Sequence, residues 1–83
     1  MRGKGEAQSA TAEQVRATLE SLALERGVSL AELSRMIRRN EAYLQQFIRR
    51  GTPARLAEDD RLMLARYFRI DERLLGAREP WTP

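Results

Sequence analysis

Three glycines divide this 83-residue sequence into short segments, and this division constrains the fold more than any other feature. Gly27, Gly51 and Gly76 each follow a stretch in which apolar residues recur at helical spacing. Glycine enters the left-handed conformation that closes a helix without the steric cost that other residues incur. Segments of this kind, with no strand pattern between them, predict an all-α chain: a compact bundle of four to five short helices.

Residues that favour the start of a helix precede each of these glycines, and together with the glycines they define the helix boundaries that we predict. Thr11 and Ser29 each stand three residues before a glutamine or glutamate, and in this capping-box pattern the two side chains satisfy free amides of the first turn. Asn40 is a good N-cap for a third helix, and the acidic run at 58–60 suits the positive end of a fourth. Asp71 caps a short last turn. The predicted elements are helices at 12–26, 30–37 and 41–50, a helix beginning at 58–60, and a turn at 72–75.

The composition excludes several classes of function. Cysteine and histidine are absent, which removes thiol nucleophiles, disulfides, zinc sites and serine–histidine–aspartate triads. No apolar run approaches the ~18 residues of a membrane span, and the first ten residues lack the apolar core of a signal peptide. The helix dipole alone accounts for the acidic run at 58–60. We therefore expect a cytoplasmic protein that is not an enzyme, with no metal, no cofactor and no membrane partner.

A chain of this size holds one small domain with a single core. Two glycines and no apolar periodicity predict a flexible tail at 1–10, and two prolines in the last four residues predict a tail or linker at 77–83. The domain between them is expected at 11–76. Its predicted core draws on every helix and consists of Leu19, Leu22, Leu33, Ile37, Leu44, Phe47, Leu62 and Phe68.

Positive charge is concentrated between residues 35 and 50, where five arginines stand against a single glutamate. The whole chain has a formal net charge of only +3, and fourteen of its fifteen basic residues are arginine. Arginine is the residue best suited to paired hydrogen bonds with phosphate and guanine. A solvated basic face is the alternative explanation of such a run.

A polar helix face falls in the same segment. A turn of about three residues joins the second and third predicted helices, the length expected of a helix-turn-helix unit. The third helix then presents outward the side chains that read base edges in a major groove about 12 Å wide. The candidates for base reading are Glu41, Ala42, Tyr43, Gln45 and Gln46. The candidates for phosphate contact are Arg38, Arg39, Arg49 and Arg50, with Ser29 at the start of the second helix.

The stretch 29–51, SLAELSRMIRRNEAYLQQFIRRG, resembles the helix-turn-helix of the lambda-repressor-like family, also called Cro/CI or XRE. The shared pattern is a polar cap, a Leu-x-x-Leu-type core, a turn, a leucine near the middle of the recognition helix and a glycine after it. The continuation, PARLAEDDRLMLARYFRIDERLLG, is similar to the family's fourth helix and closing turn. The resemblance covers residues 12–76. It is closest to the N-terminal domains of CI/LexA-like repressors with a self-cleaving peptidase half, which implies that a second domain begins near 80–83.

The resemblance also implies roles for individual residues. It implies base-reading positions at Glu41, Ala42, Gln45 and Gln46, with Asn40 at the cap of the recognition helix, and phosphate contacts at Ser29, Arg35, Arg39 and Arg50. One departure concerns Arg38, because the family usually has glycine there. An arginine at this position must adopt a strained conformation or reshape the turn. A second departure is an extra residue before Gly51, which bears on the roles of Arg49 and Arg50.

The expected function is sequence-specific binding of double-stranded DNA by a transcription regulator, a repressor rather than an activator. Two alternatives remain: an activator of the same fold that contacts RNA polymerase, and a helical protein-interaction module of the antitoxin or anti-repressor type. The alternative explanation of Gln45 and Gln46 is that they are ordinary helix-surface residues, as any one glutamine usually is. Because the core uses the apolar faces, we expect a monomer or weak dimer in free solution that pairs as a homodimer on DNA.

Overall fold

The computed structural model describes residues 10–77, and this part of the chain is helical with no strand. Its elements are α1 (Ala12–Arg26), α2 (Leu30–Met36), α3 (Tyr43–Arg50), α4 (Glu58–Phe68) and a closing 3₁₀ helix (Glu72–Leu75). The predicted all-α class is therefore confirmed. Within the same residues, no helix is long and apolar enough to cross a membrane. The predicted tails, apart from Ala10 and Ala77, lie outside the described residues.

Both predicted capping boxes are present, and they begin α1 and α2 at the predicted residues. The Thr11 hydroxyl accepts a hydrogen bond from the Gln14 amide at 3.1 Å, and the Gln14 side chain accepts one from the Thr11 amide at 2.9 Å. Ser29 and Glu32 form the same reciprocal pair at the start of α2. The hydrogen bond from the Ser29 amide holds the pKa of Glu32 below its ordinary value. These two helix starts depend only on residues within one turn of each other.

The core contains most of the predicted residues. Leu22 is partly buried and packs against the core. Leu62 is also only partly buried but lies outside the core cluster, whereas Leu64, two residues on, is completely buried. Asp60 also lies on the inward face of α4 and is 2% exposed. Since Asp60 and Leu64 are one turn apart, the face of α4 that carries both is the face that packs inward.

The helices pack so that one face of α3 is enclosed. α2 lies against α3, and α1 contacts both α3 and the closing 3₁₀ helix. Leu44 and Phe47 of α3 are almost fully buried in the common core. Because helical residues face opposite directions about half a turn apart, the remaining face of α3 is directed to solvent.

Candidate nucleic-acid interface

The connection between α2 and α3 is longer than the sequence predicted. It comprises six residues, 37–42, rather than about three. α2 ends in a Schellman motif, in which the Arg38 amide bonds the Arg35 carbonyl at 2.9 Å and the Arg39 amide bonds the Ser34 carbonyl at 2.8 Å. Arg38 has φ 63°, so it occupies the left-handed position that usually belongs to glycine. Of the two outcomes expected for Arg38, the structure adopts the strained conformation.

The start of α3 is also different, because Asn40 is not its N-cap. The Asn40 side chain accepts a hydrogen bond from the Ala42 amide at 2.8 Å, and its carbonyl accepts one from the Tyr43 amide at 2.9 Å. This Asx turn delays the helix, which begins at Tyr43 rather than at residue 41. The N-cap is Ala42, whose side chain has no hydrogen-bonding group. Glu41 and Ala42 thus lie in the turn before α3, not within the helix.

A serine from α2 supplies the cap that Ala42 lacks. The Ser34 hydroxyl accepts a hydrogen bond from the Leu44 amide at 3.1 Å, in the first turn of α3. It donates to the Leu30 carbonyl at 2.8 Å, and the whole side chain is buried. Ser34 therefore links the two helices directly and was missed by the sequence analysis. The sequence does contain one indication of this role: Ser34 is a polar residue next to Leu33, on the face of α2 that packs inward.

A buried aspartate attaches the turn to α4. The Asp60 carboxylate accepts hydrogen bonds from the Arg39 guanidinium at 3.0 Å and from the Tyr43 hydroxyl at 3.2 Å. The Arg39 guanidinium also lies 5.0 Å above the centre of the Tyr43 ring. Burial, with the nearby Asp60 charge, raises the pKa of Tyr43, and the hydrogen bond to Asp60 raises the pKa of Arg39. Asp60 thus does more than complement the dipole of α4, contrary to the sequence interpretation.

Two residues that were predicted to contact DNA, Arg39 and Tyr43, are bonded to Asp60 within the chain. The Tyr43 hydroxyl, predicted to read bases, is directed to α4. One edge of the Arg39 guanidinium is bonded to Asp60, although the side chain remains 42% exposed. Their predicted contacts with DNA stay predictions, and for Arg39 they require the guanidinium to share or exchange its partner.

A second ion pair crosses the same turn at the surface. The Arg35 guanidinium and the Glu41 carboxylate are 2.8 Å apart, and both side chains are more than half exposed. Pairs of this kind contribute little to stability because water screens them. Arg35 and Glu41, predicted to contact phosphate and bases, are therefore brought together. Ser29 forms its hydrogen bonds within the capping box of α2.

The outward face of α3 consists of Gln45, Gln46, Arg49 and Arg50, all of them exposed. With Ala42 they line a shallow hollow of about 240 Å³. In the described part of the chain, no hydrogen bond or ion pair engages these four side chains or the exposed Arg38. The structure thus gathers four of the predicted site residues, Gln45, Gln46, Arg49 and Arg50, on one face without side-chain partners among the described residues.

No family model, no curated protein and no solved structure matches this chain.

Proposed function

We propose that this chain is a sequence-specific double-stranded DNA-binding transcription regulator whose α3 enters the major groove. The observation that most supports this proposal is the outward face of α3, where two adjacent glutamines and two adjacent arginines are exposed without partners in the described structure. Amide side chains hydrogen-bond adenine edges through paired donor and acceptor atoms. Free guanidiniums contact phosphates at the groove edge. The helix-turn-helix character of α2 and α3 is part of this proposal.

The proposal divides the polar residues into two roles. Gln45 and Gln46 read base edges, and Ala42 at the hollow beside them contacts a thymine methyl group. Arg49 and Arg50, at the end of α3, neutralise phosphates, as does Arg38 in the turn. This division follows from side-chain chemistry, since guanidiniums bind any phosphate whereas an amide discriminates one base edge from another.

The arginines differ in what they must give up on binding. Arg38, Arg49 and Arg50 have no intramolecular partner in the described structure, so a phosphate replaces only water and counterions. Arg35 is paired with Glu41, and Arg39 is paired with Asp60. A phosphate competes with a carboxylate at these two residues. We therefore expect the unpaired arginines to contribute more to affinity than the paired ones.

Regulation in this proposal is repression by a homodimer that forms on DNA. One recognition helix covers only a few base pairs, so specificity requires two half-sites about one helical turn, ~34 Å, apart. An activator that also contacts RNA polymerase has the same DNA contacts. Which of the two operates is decided by transcription from a promoter that carries the selected site, with and without the protein.

The test begins with selection of bound sequences from a random duplex pool, followed by titration of the selected duplex and a scrambled duplex. Gln46→Ala is expected to weaken the selected duplex by about 1–3 kcal/mol while leaving the scrambled one almost unchanged. Arg50→Ala is expected to weaken both duplexes equally and to reduce the salt slope by about one unit. Arg66→Ala, at an exposed arginine of α4, is the charge-matched control and changes neither.

Two results would contradict the proposal. If Gln46→Ala lowered affinity for both duplexes alike, α3 would not read bases, and a basic patch without base recognition would be the better account. If no duplex bound with a salt-dependent affinity, the protein-interaction module would replace DNA binding as the function.

A further inference from the structure

A cavity of about 290 Å³ lies on the core side of α3, away from its outward face. Its floor is formed by the apolar side chains of Val15, Phe47, Leu56 and Leu75, all of them buried in the core. The volume is close to the lower end of the range for small-molecule sites, about 300–1,000 Å³. An apolar floor that reaches core side chains can bury the hydrocarbon part of a small ligand.

Two arginines line the cavity beside this floor. Arg55 lines the cavity, is exposed and has no hydrogen-bond or ion-pair partner in the described structure. Arg61 also lines it, and its only described ion pair uses Nε, which lies 3.3 Å from the Glu72 carboxylate. The first residues of α1 form part of the rim, and the N-terminus of a helix carries positive partial charge.

No aspartate or glutamate is among the described residues that line the cavity. Arg61 is paired with Glu72, which does not line the cavity, so Arg55 supplies the charge that has no described acidic partner, while the floor is apolar. These two properties select a ligand that has one anionic end and one hydrocarbon end.

We propose that this cavity binds a small amphipathic carboxylate, an aromatic or branched aliphatic acid. In this complex the hydrocarbon part lies on Phe47 and Leu75, and the carboxylate faces Arg55 and Arg61. Guanidinium and carboxylate form two parallel hydrogen bonds, so arginine suits this role better than lysine. The proposal does not depend on DNA binding, because the outward face of α3 contributes none of the lining residues.

The experiment is an NMR titration of the isotope-labelled full chain, without DNA, with sodium phenylacetate. Saturable shifts are expected at the amides of Val15, Leu56 and Gly76, which line the cavity. Phenylacetamide has the same ring and no charge, and it is expected to bind at least about fivefold more weakly. Inorganic phosphate supplies charge without hydrocarbon and is expected to give no saturable shifts at these amides.

Two variants locate the anion contact. Arg55→Gln is expected to weaken phenylacetate by at least about fivefold and to leave phenylacetamide unchanged. Arg66→Gln removes an exposed arginine that does not line the cavity, so it is expected to change neither ligand. Because Arg55 is exposed and unpaired, its replacement does not threaten the fold.

Three outcomes would overturn the proposal: equal affinity for phenylacetate and phenylacetamide, equal binding by phosphate at the same amides, or no effect of Arg55→Gln. The first outcome would show that the carboxylate contributes nothing to binding. The second would show that the apolar floor contributes nothing. The third would show that Arg55 does not contact the anion. None of these outcomes bears on the DNA titrations, so the two proposals fail separately.

Discussion

α1 and α3 begin in different ways. α1 is capped by its own first turn, through Thr11 and Gln14. The start of α3 has no side-chain cap of its own, and the buried Ser34 of α2 accepts the hydrogen bond from its Leu44 amide. The cap of α1 thus depends only on its own first turn, whereas the cap of α3 depends on the position of α2. The start of the candidate recognition helix is therefore held by its neighbours.

The two helices also differ in length. α1 has 15 residues and α3 has 8. Isolated helices shorter than about 12–15 residues are marginal in water, so tertiary packing must stabilise α3. Its packing is supplied by Leu44 and Phe47, and its start is held by Ser34 and by the Tyr43–Asp60 hydrogen bond.

The largest effect is expected from removing the main core contact of α3. Phe47 is 1% exposed, and Phe47→Ala is expected to lower the free energy of unfolding by about 3–5 kcal/mol through loss of burial and formation of a cavity. This is a large fraction of the stability of a small domain. Urea denaturation followed by circular dichroism measures it. A loss below about 1 kcal/mol would contradict the view that packing, rather than local signals, stabilises α3.

The next prediction compares the two caps directly. Ser34→Ala leaves the buried Leu44 amide without an acceptor and is expected to cost about 1–3 kcal/mol. Thr11→Ala removes an exposed cap, whose amide partner water can solvate, and is expected to cost about 1 kcal/mol. Hydrogen exchange distinguishes the two, because the Leu44 amide loses protection in the first variant and the Gln14 amide in the second. Equal loss of Leu44 protection in both variants would contradict the separate origins of the two helix starts.

A smaller effect, of opposite sign, is expected where α2 ends. Arg38 is left-handed at φ 63°, and Arg38→Gly is expected to stabilise the fold by about 0.5–1 kcal/mol, since relief of strain exceeds the added freedom of the unfolded chain. Arg69 has φ 59° at the end of α4, and Arg69→Gly is the matched variant. Thermal unfolding measures both. If only Arg69→Gly raised the melting temperature, Arg38 would make a stabilising contact that offsets its strain.

The smallest effect concerns a local cap that titrates. Hydrogen bonds from Arg73 lower the pKa of the Asp71 carboxyl from 3.8 to about 2. A lowered folded-state pKa gives stability that is present above pH 3.8 and is lost as the pH falls towards about 2. The Arg73 amide bonds this carboxylate at 2.9 Å, so its NMR shift is expected to titrate with a midpoint near pH 2. Asp71→Asn is expected to abolish the titration, whereas the Leu44 amide, which bonds a hydroxyl, should show no such local midpoint.

The fold was more predictable than the candidate site. The bounds of α1, the start of α2 and the closing 3₁₀ helix were predicted correctly because their caps lie within three residues of the helix start. Local hydrogen bonds of this kind are encoded by spacing alone. The residues of the outward face were also identified from spacing, since Gln45 and Gln46 lie opposite the buried Phe47.

Two of the errors involve contacts between distant segments. Asn40 was a reasonable N-cap by composition, yet Ser34 satisfies the first turn of α3 from another helix. The role of Asp60 was assigned to the dipole of α4 alone. Its partners, Arg39 and Tyr43, are 21 and 17 residues away in the chain, and no local pattern identifies them. Asp60 and Leu64 share the inward face of α4, so Leu64 rather than Leu62 belongs to the core.

The sequence by itself determined the helical class, the positions where helices start through their own caps, and the concentration of arginine around the α2–α3 turn. Each of these depends on residues within one or two helical turns. Only the tertiary structure decided where α3 begins, which arginines are paired, and that an apolar cavity lies behind α3. Those features depend on hydrogen bonds and packing between segments that are remote in sequence, and the chain must already be folded for such groups to meet.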